Sequence, residues 1–286
     1  MTILKIVFKH RYGGINLKLE NVATQRRIDT LKLIKKAGMG HIGGDFSCAD
    51  ILVSLYYSVM NIKSDKPNDP DRDRYIQSKG HSVEILWSIL ADKGFIDQET
   101  LSTFGQYNSK IIGHPNNEID GVEMNTGSLG HGLAISVGIA LGAKLDDNQY
   151  HTYTLLGDGE LAEGSVWEAA MSASHFKLDN LTAIIDYNKL QISGETKNVM
   201  SHDPLREKWE SFGWNVIDVW DGNDIPSLLE AFNSKPVSGK PKCIIAHTVK
   251  GKGISAAENV AGWHHKVPND EEFETALRDL EAQLNE

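Results

Sequence analysis

The stretch that decides the fold is "YHTYTLLGDGELAEGSVWEAAMSASHFKLDNLTAIIDYN", residues 150–188. Its pattern predicts a buried strand over 150–158, a helix over 165–176 and a second buried strand over 181–188. Two strands joined through such a helix pair in parallel, with a right-handed crossover. The stretch therefore predicts one βαβ unit of a parallel sheet, with polar residues where both strands end.

The same alternation extends in both directions along the chain. Ser165 and Glu168 form a capping-box signature at the start of the helix 165–176. Further helices are predicted over 21–38, 48–60, 82–94, 127–145, 225–232 and 270–284, and further strands over 75–78, 214–221 and 241–249. Because strands alternate with helices, the predicted fold class is α/β, a doubly wound parallel sheet flanked by helices.

The composition describes an acidic, ordinary globular protein. Of the 286 residues, 40% are hydrophobic and 24% are charged, and the formal net charge is -10. This charge argues against nucleic acid as a partner, and the apolar runs are shorter than the roughly 20 residues of a membrane span. Cys48 and Cys243 have no metal-binding spacing, which indicates a reducing cytoplasm. Residues 1–20 are expected to form a loosely packed N-terminal extension of a single domain, 21–286.

Oxygen-bearing side chains follow two strands of the predicted unit. Asp158, between Gly157 and Gly159, ends the first strand, and Asn188 ends the second. The ends of neighbouring parallel strands meet at one edge of the sheet, where such folds bind ligands. A carboxylate and an amide oxygen suit Mg²⁺, which completes its shell with water and phosphate oxygens. The glycine-bracketed aspartate alone would suit a tight turn, but together with Asn188 it favours a metal–diphosphate site.

Histidine placement adds candidates for binding and proton transfer. The chain has 11 histidines, and four of them follow a glycine: His41, His81, His114 and His131. Histidines in such loops donate to phosphate or substrate oxygens, or carry protons near neutral pH, although a single Gly-His pair is more often a packed loop residue. Lys250, in "KGKGIS", is either a surface lysine or a phosphate ligand. The chain has no P-loop, GxGxxG or GxSxG motif.

From about residue 21 to residue 270 the sequence resembles the pyrophosphate-binding half of transketolase. The shared motifs, in the order of the family, are "GHIGG" (40–44), "SKGHS" (78–82), "GHP" (113–115), "NTGSLGHG" (125–132), "LLGDGELAEGSVWEA" (155–169), "DYNKLQISG" (186–194), "KGKGIS" (250–255) and "WHHK" (263–266). The spacing from "GDG" to Asn188 also matches the thiamine diphosphate signature. No single motif is specific, but the ordered set is.

The resemblance implies a thiamine diphosphate cofactor held by Mg²⁺ or Ca²⁺. It assigns the metal to Asp158, Asn188 and the Leu190 carbonyl. The implied cofactor-binding residues are Lys79, His81, Gly127, Leu129, Gly157, Asp158, Gly159, Glu163, Asn188, Ile192, Lys250, His264 and Lys266. The implied catalytic residues are His41, His81, His114, His264 and Glu163. The implied reaction transfers a two-carbon glycolaldehyde unit from a ketose phosphate to an aldose phosphate.

The resemblance also implies a split enzyme. A full transketolase is about twice this long, and its second half activates the aminopyrimidine and binds the sugar phosphate. We therefore expect a partner subunit that carries the pyrimidine-binding half, in an α2β2 assembly, with the helix 127–145 and the region of Glu163 at the interface.

Three alternatives stay open at this point. The chain would also suit the α subunit of a 2-oxoacid dehydrogenase, a deoxyxylulose-phosphate synthase-like enzyme, or a non-catalytic binding protein that kept the fold. The glycine–histidine set and "WHHK" argue against the first. One segment, "GHIGGD" (40–45), departs from the family, in which proline and small hydroxyl residues often follow the histidine. This departure indicates changed contacts, as would accompany an unusual donor or acceptor sugar.

Overall fold

The computed structural model describes residues 18–284. Residues 1–17, most of the expected N-terminal extension, lie outside the described residues. The first helix spans Leu19–Ala37 and is capped by Gly38, which has a left-handed backbone (φ 71°) and whose N–H donates to the Ile34 carbonyl. Among residues 18–284, none of the helices has both the length and the apolar character that crossing a bilayer requires.

Helices and strands alternate along the described chain. In chain order they are α1 (Leu19–Ala37), α2 (Ile42–Ser54), β1 (Arg74–Gln77), α3 (Val83–Asp92), α4 (Gln98–Leu101), α5 (Gly132–Leu145), β2 (Thr152–Gly157), α6 (Gly164–His175), β3 (Leu181–Asp186), β4 (Leu190–Gln191), β5 (Gly194–Glu195), α7 (Thr196–Val199), α8 (Leu205–Ser211), β6 (Asn215–Val219), α9 (Ile225–Asn233), β7 (Lys242–Ala246) and α10 (Asp270–Leu284). The five long strands of this list were predicted from the sequence, whereas the hairpin β4–β5 was not.

The central sheet has five strands in the order β1-β2-β3-β7-β6, and all its pairings are parallel. In the register of β2 and β3, Gly157 lies opposite Asp186, so both strands end at the same level. This arrangement confirms the predicted α/β fold, and it brings the turn after β2 beside the turn after β3.

Helices cover both faces of the sheet because successive strand residues point to opposite sides. Leu155 and Ile184 pack into a core cluster with residues of α2, α3 and α9. Their neighbours Leu156 and Ile185 pack into a second cluster with residues of α5, α6 and α8. All four side chains are buried, as the near-continuous apolar runs of these strands require.

Two predicted helix starts lie well away from those in the structure, and one predicted cap is absent. The small-residue helix begins at Gly132 rather than at 127, because Gly127 and Gly130 adopt left-handed φ values of 134° and 82°. The helix predicted from residue 48 begins six residues earlier, at Ile42. The capping box at Ser165 is wrong, since its hydroxyl donates to the Gly130 carbonyl (2.9 Å) and α6 has no side-chain cap.

Candidate active site

The turns after β2 and β3 form one connected structure. One carboxylate oxygen of Asp158 accepts a hydrogen bond from the Gly159 N–H (2.8 Å), and the other accepts one from the Lys189 N–H. The Asn188 side-chain oxygen accepts from the Leu190 N–H (3.1 Å). Asp158, Asn188 and Leu190, the three predicted metal ligands, are therefore brought together by adjoining strand ends.

The donors of this turn fit a divalent cation. Asp158 is only 2% exposed, and burial together with the nearby Asp186 carboxylate raises its pKa to about 7. A bound cation would offset the cost of that buried charge. Residues 18–284 contain no group of three or more His, Cys, Asp or Glu side chains arranged for a metal. The fitting set is instead a carboxylate, an amide oxygen and a carbonyl oxygen, all hard donors of the kind that Mg²⁺ and Ca²⁺ take.

Asp186, at the end of β3, is the centre of a buried polar network next to this turn. Its carboxylate accepts hydrogen bonds from the hydroxyls of Ser47 (2.6 Å) and Thr248, and it forms an ion pair with Lys79. Burial raises its pKa, but the Lys79 ammonium and the hydrogen bonds from Ser47 and Thr248 together outweigh that effect, so the pKa of Asp186 lies below its usual value. Sequence reasoning missed this role; the available signal was the position of Asp186 two residues before Asn188.

Lys79 and Lys250 are both buried close to the predicted site. The Lys79 ammonium is engaged by Asp186 and by the Gly44 carbonyl (3.0 Å), so its predicted contact with a diphosphate stays a prediction. The Lys250 ammonium donates to the Leu190 carbonyl (3.3 Å). Burial and the positive charge of Lys79 lower the pKa of Lys250 to about 8. The two lysines thus place positive charge next to Asp186 and next to the Leu190 carbonyl.

Histidines from three separate segments lie together near Lys79 and Lys250. The ring centroids of His41 and His81 are 5.5 Å apart, those of His81 and His264 are 5.1 Å apart, and those of His41 and His265 are 4.6 Å apart. Burial lowers the pKa values of His41, His81 and His264, and the pKa of His264 falls to about 3. Three of the predicted catalytic histidines thus form one cluster, and at neutral pH their rings are uncharged.

His114 joins the site through a glycine. A Cβ atom added to Gly127 would lie 2.6 Å from the His114 ring, and Gly127 has a φ of 134°. Glycine is therefore required for the loop to approach the histidine. Burial lowers the pKa of His114, and the His41 ring lowers it further. The structure therefore places the fourth predicted catalytic histidine against a residue predicted to contact the cofactor.

Glu160 is a second residue whose role the sequence did not predict. Its buried carboxylate accepts from the Ser78 hydroxyl, the Gly130 N–H (2.8 Å) and the Gly157 N–H (3.0 Å). It thereby joins the end of β1, the loop before α5 and the end of β2. Burial is the main cause of its raised pKa. The acidic residue directly after "GDG" was the visible signal.

The other predicted cofactor residues are less constrained in the described chain. The Lys266 ammonium pairs with Glu272 and lies 4.4 Å from the Trp263 ring centroid, so it is engaged at α10. Ile192 is 69% exposed. Glu163 is exposed and Leu129 half-buried. The predicted roles of these residues stay predictions.

A family model described as "Transketolase, thiamine diphosphate binding domain" matches residues 19–282. The chain belongs to the transketolase family. The match covers nearly all of the described chain, so the motifs and the strand-end turns belong to the family's thiamine diphosphate-binding domain. The comparison supports transketolase over the 2-oxoacid dehydrogenase and deoxyxylulose-phosphate synthase alternatives.

Relatives within the transketolase family include separate subunits. The chain is 46% identical over 269 residues to an apulose-4-phosphate transketolase subunit from Phocaeicola vulgatus, covering 94% of this chain and 95% of that one. It is 38% identical to "6-deoxy-6-sulfo-D-fructose transketolase subunit SqwG" of a Clostridium strain, covering 93% and 98%. Both relatives are of similar length to this chain.

Longer transketolases match over less of their length. Human transketolase and this chain are 38% identical over 267 residues. The matched region covers 93% of this chain but only 42% of the human protein. The solved transketolase of Campylobacter jejuni superposes on 93% of this chain with a TM-score of 0.87 and 30% identity, and this chain spans 43% of it. The chain therefore corresponds to one part of the longer transketolases and to nearly the whole of the relatives that are named as subunits.

Proposed function

We propose that this chain is the metal- and diphosphate-binding subunit of a split, thiamine diphosphate-dependent transketolase. The observation that carries the proposal is the pair of adjoining turns after β2 and β3, which join Asp158 to Asn188 and Leu190. The similar length of the relatives named as subunits supports a partner chain with the pyrimidine-binding half. The proposed assembly is α2β2, in the cytoplasm.

Asp158, Asn188 and the Leu190 carbonyl would hold Mg²⁺ or Ca²⁺, and the cation would hold the diphosphate. Lys250 lies next to this set through its bond to the Leu190 carbonyl and would add positive charge to the diphosphate side. Thiamine diphosphate, when bound, supplies the carbanion and the electron sink that glycolaldehyde transfer needs. The chain's own task is to fix the cofactor and to surround it with neutral donors and acceptors.

The histidine cluster is suited to the sugar's oxygens. His41, His81 and His264 are mutually adjacent, and their lowered pKa values keep the rings neutral at pH 7. A neutral imidazole donates with one nitrogen and accepts with the other, so each can hold a hydroxyl or move a proton to or from it. We assign these rings, with His114, to substrate binding and proton transfer.

Glu163 and α5 would face the partner subunit. Glu163 is exposed. A Cβ atom added to Gly130 would lie only 2.5 Å from the Glu163 Cβ, so the Gly130 backbone packs directly against the base of this side chain. Gly138 and Gly142 of α5 would meet nothing within 4 Å if they carried a Cβ. A helix surface with such small residues permits close approach of another chain.

The substrates proposed are a ketose phosphate donor and an aldose phosphate acceptor. The relatives' names contain apulose 4-phosphate and 6-deoxy-6-sulfo-D-fructose, so the donor class varies within the group. The relatives that are 46% and 47% identical carry the first name. Apulose 4-phosphate is therefore the first donor to assay.

The test is reconstitution with a partner that carries the pyrimidine-binding domain, taken first from the adjacent gene. The mixture should transfer a two-carbon unit in the presence of Mg²⁺ and thiamine diphosphate, and each chain alone should not. The donor panel contains ketose phosphates and pyruvate, since use of pyruvate would indicate a deoxyxylulose-phosphate synthase-like reaction. Binding of the cofactor without any turnover would instead support a non-catalytic protein.

A further inference from the structure

The first turns of α2 and α3 bury two carboxyl groups against each other. Asp45 and Glu84 are both 0% exposed. One oxygen of Asp45 accepts from the Ile85 N–H (3.1 Å). The other Asp45 oxygen and both Glu84 oxygens are buried and have no hydrogen-bond donor among the described residues. Such unpaired buried charge is costly, so the arrangement calls for an explanation.

Two adjacent buried carboxylates cannot both stay ionised. No lysine or arginine in the described part of the chain forms a salt bridge with either of them. Burial raises the pKa of both groups, and the neighbouring Glu84 carboxylate raises the pKa of Asp45 further. The two groups therefore titrate as a pair rather than independently. Their positions in the first turns of α2 and α3 favour one remaining negative charge.

The ring of His41 faces this pair. The distance from His41 Nδ1 to Glu84 Oε1 is 3.7 Å, and Nδ1 is buried without another partner among residues 18–284. The other charged or titratable groups that act on His41 are Asp45, Lys79 and Lys250, and the rings of His81, His264 and His265 pack against it. An N–H at Nδ1 would give Glu84 the donor that it lacks.

We propose that Asp45 and Glu84 share one proton and that their remaining negative charge holds His41 as its Nδ1–H tautomer. Nε2, on the opposite side of the ring, then stays an unprotonated acceptor. Asp45 and Glu84 are positioning residues, because they act on substrate only through His41. The tautomer is inferred from the unpaired buried oxygens and from the 3.7 Å between His41 Nδ1 and Glu84 Oε1, whereas its use in sugar binding rests on the proposed function.

The same pair explains part of the unusual "GHIGGD" segment. His41 and Asp45 both lie in it, and Glu84 follows the "SKGHS" segment by two residues. This segment of the chain therefore contributes a carboxyl group whose partner comes from α3. We infer that this chain fixes its first histidine by charge.

The direct test is the ¹⁵N NMR spectrum of the histidine rings in the full chain without cofactor. His41 is assigned from the signals missing in His41→Gln. We expect the Nδ1–H tautomer in the wild type at pH 7. In Glu84→Met, which removes the acceptor, and in Asp45→Asn, which removes the carboxyl partner of Glu84, the tautomer ratio of His41 should change at least threefold.

Asp73→Asn is the matched control. Asp73 is also a largely buried carboxyl with a raised pKa, but it accepts from the N–H groups of Asn61 and His151 and makes no contact with His41. This substitution should leave the His41 signals unchanged. If Glu84→Met fails to fold, as judged by circular dichroism, Asp45→Asn and the wild-type tautomer still decide the question.

The proposal would be overturned by an Nε2–H tautomer in the wild type, or by His41 signals that are identical in a folded Glu84→Met. In the reconstituted enzyme, Glu84→Met should lower kcat about 10- to 100-fold, as loss of an orienting carboxylate does elsewhere. The affinity for Mg²⁺ and thiamine diphosphate should change less than twofold. Absence of transketolase activity in the wild type, with the tautomer as expected, would refute the proposed function alone.

Discussion

Asp158 shows how burial makes an aspartate in a common turn a candidate metal ligand. Its carboxylate is held by two backbone N–H groups, yet burial and Asp186 still raise its pKa to about 7. The two hydrogen bonds fix the side chain but do not neutralise it. A divalent cation would do so, and Asn188 and Leu190 supply the further oxygens at the right place.

Gly127 offers a residue-level prediction. In Gly127→Ala the new Cβ would meet the His114 ring at 2.6 Å, in a backbone conformation with φ 134° that alanine rarely adopts. We expect a loss of about 1–3 kcal/mol in the free energy of unfolding, measured by urea denaturation. The control is Gly138→Ala in α5, where nothing lies within 4 Å, and where the better helix propensity of alanine should stabilise by up to about 1 kcal/mol. Equal stability of the two variants would contradict the packing described.

Glu84 predicts a pH dependence of stability. Burial raises the pKa of Glu84 from 4.5 to about 8, and the proton that is retained over this range is the one that Glu84 shares with Asp45, so the folded chain binds more protons than the unfolded chain between these values. The free energy of unfolding therefore decreases as the pH rises from about 4.5 to 8, because the stabilisation that comes from this bound proton is lost over that range. Asp45→Asn combined with Glu84→Gln removes the titration of the pair, so the stability of this double variant relative to wild type should rise over that range, by up to a few kcal/mol at about 1.4 kcal/mol per pH unit. A difference that stays constant from pH 5 to pH 8 would contradict the shift.

Several of these residues were visible in the sequence, and others were not. Asp158 and Asn188 each end an apolar run, so a local pattern and the rule for parallel strands were enough to predict their proximity. Asp186 ends the same strand, but its hydroxyl partners Ser47 and Thr248 lie 139 and 62 residues away along the chain. Such partners become neighbours only through folding, so the sequence alone did not distinguish this carboxylate from a second metal ligand.

Among the elements, the loops at the sheet's edge depend on Glu160. Its carboxylate joins Ser78 after β1, Gly130 before α5 and Gly157 at the end of β2. The short helical turn that carries it therefore holds three ligand-facing segments in register. Ser165 adds to the same loop by donating to the Gly130 carbonyl, which is why it does not cap α6.

Removal of the Glu160 carboxylate should loosen this edge. In Glu160→Ala the Gly130 and Gly157 N–H groups lose their acceptors, and we expect the free energy of unfolding to fall by about 2–4 kcal/mol. Amide hydrogen exchange should increase at both glycines. Glu168→Ala, at an exposed position on α6, is the control and should stay within about 0.5 kcal/mol of wild type. Unchanged exchange at both glycines in Glu160→Ala would argue against the linking role.

Element boundaries were harder to predict than element types. The strands 150–158 and 181–188 contain β2 and β3, because buried parallel strands have a strong apolar signal. The helix predicted from residue 127 begins only at Gly132, since glycines with left-handed backbone angles exclude the preceding residues. The pattern of small residues does not reveal those angles.

At the scale of the molecule, residues 18–284 form a five-stranded parallel sheet between two helical layers, with the candidate polar site at one edge of the sheet. The chain spans 43% of a solved transketolase and 95% of a relative named as a subunit. The proposed partner would supply what the site lacks, including the group that activates the aminopyrimidine. The exposed Ile192 and Glu163 lie among the residues that such a partner and the cofactor would cover.

The assembly can be measured without any activity. Mixed with its partner and with Mg²⁺ and thiamine diphosphate, this chain of 31.6 kDa should form a complex with the mass of two copies of each subunit. Multi-angle light scattering gives that mass directly. A 1:1 complex at every concentration would contradict the α2β2 proposal, while leaving the cofactor site untouched.

The central claim is that the adjoining strand ends hold a metal that holds the coenzyme. Isothermal titration calorimetry of the reconstituted complex with thiamine diphosphate, with and without Mg²⁺, measures it directly. Binding should require Mg²⁺, and Asp158→Ala should weaken it at least 100-fold. Asp221→Ala, which removes a carboxylate just beyond the end of β6 in the same sheet, should leave the affinity unchanged. Metal-dependent binding of undiminished affinity in Asp158→Ala would contradict the assignment.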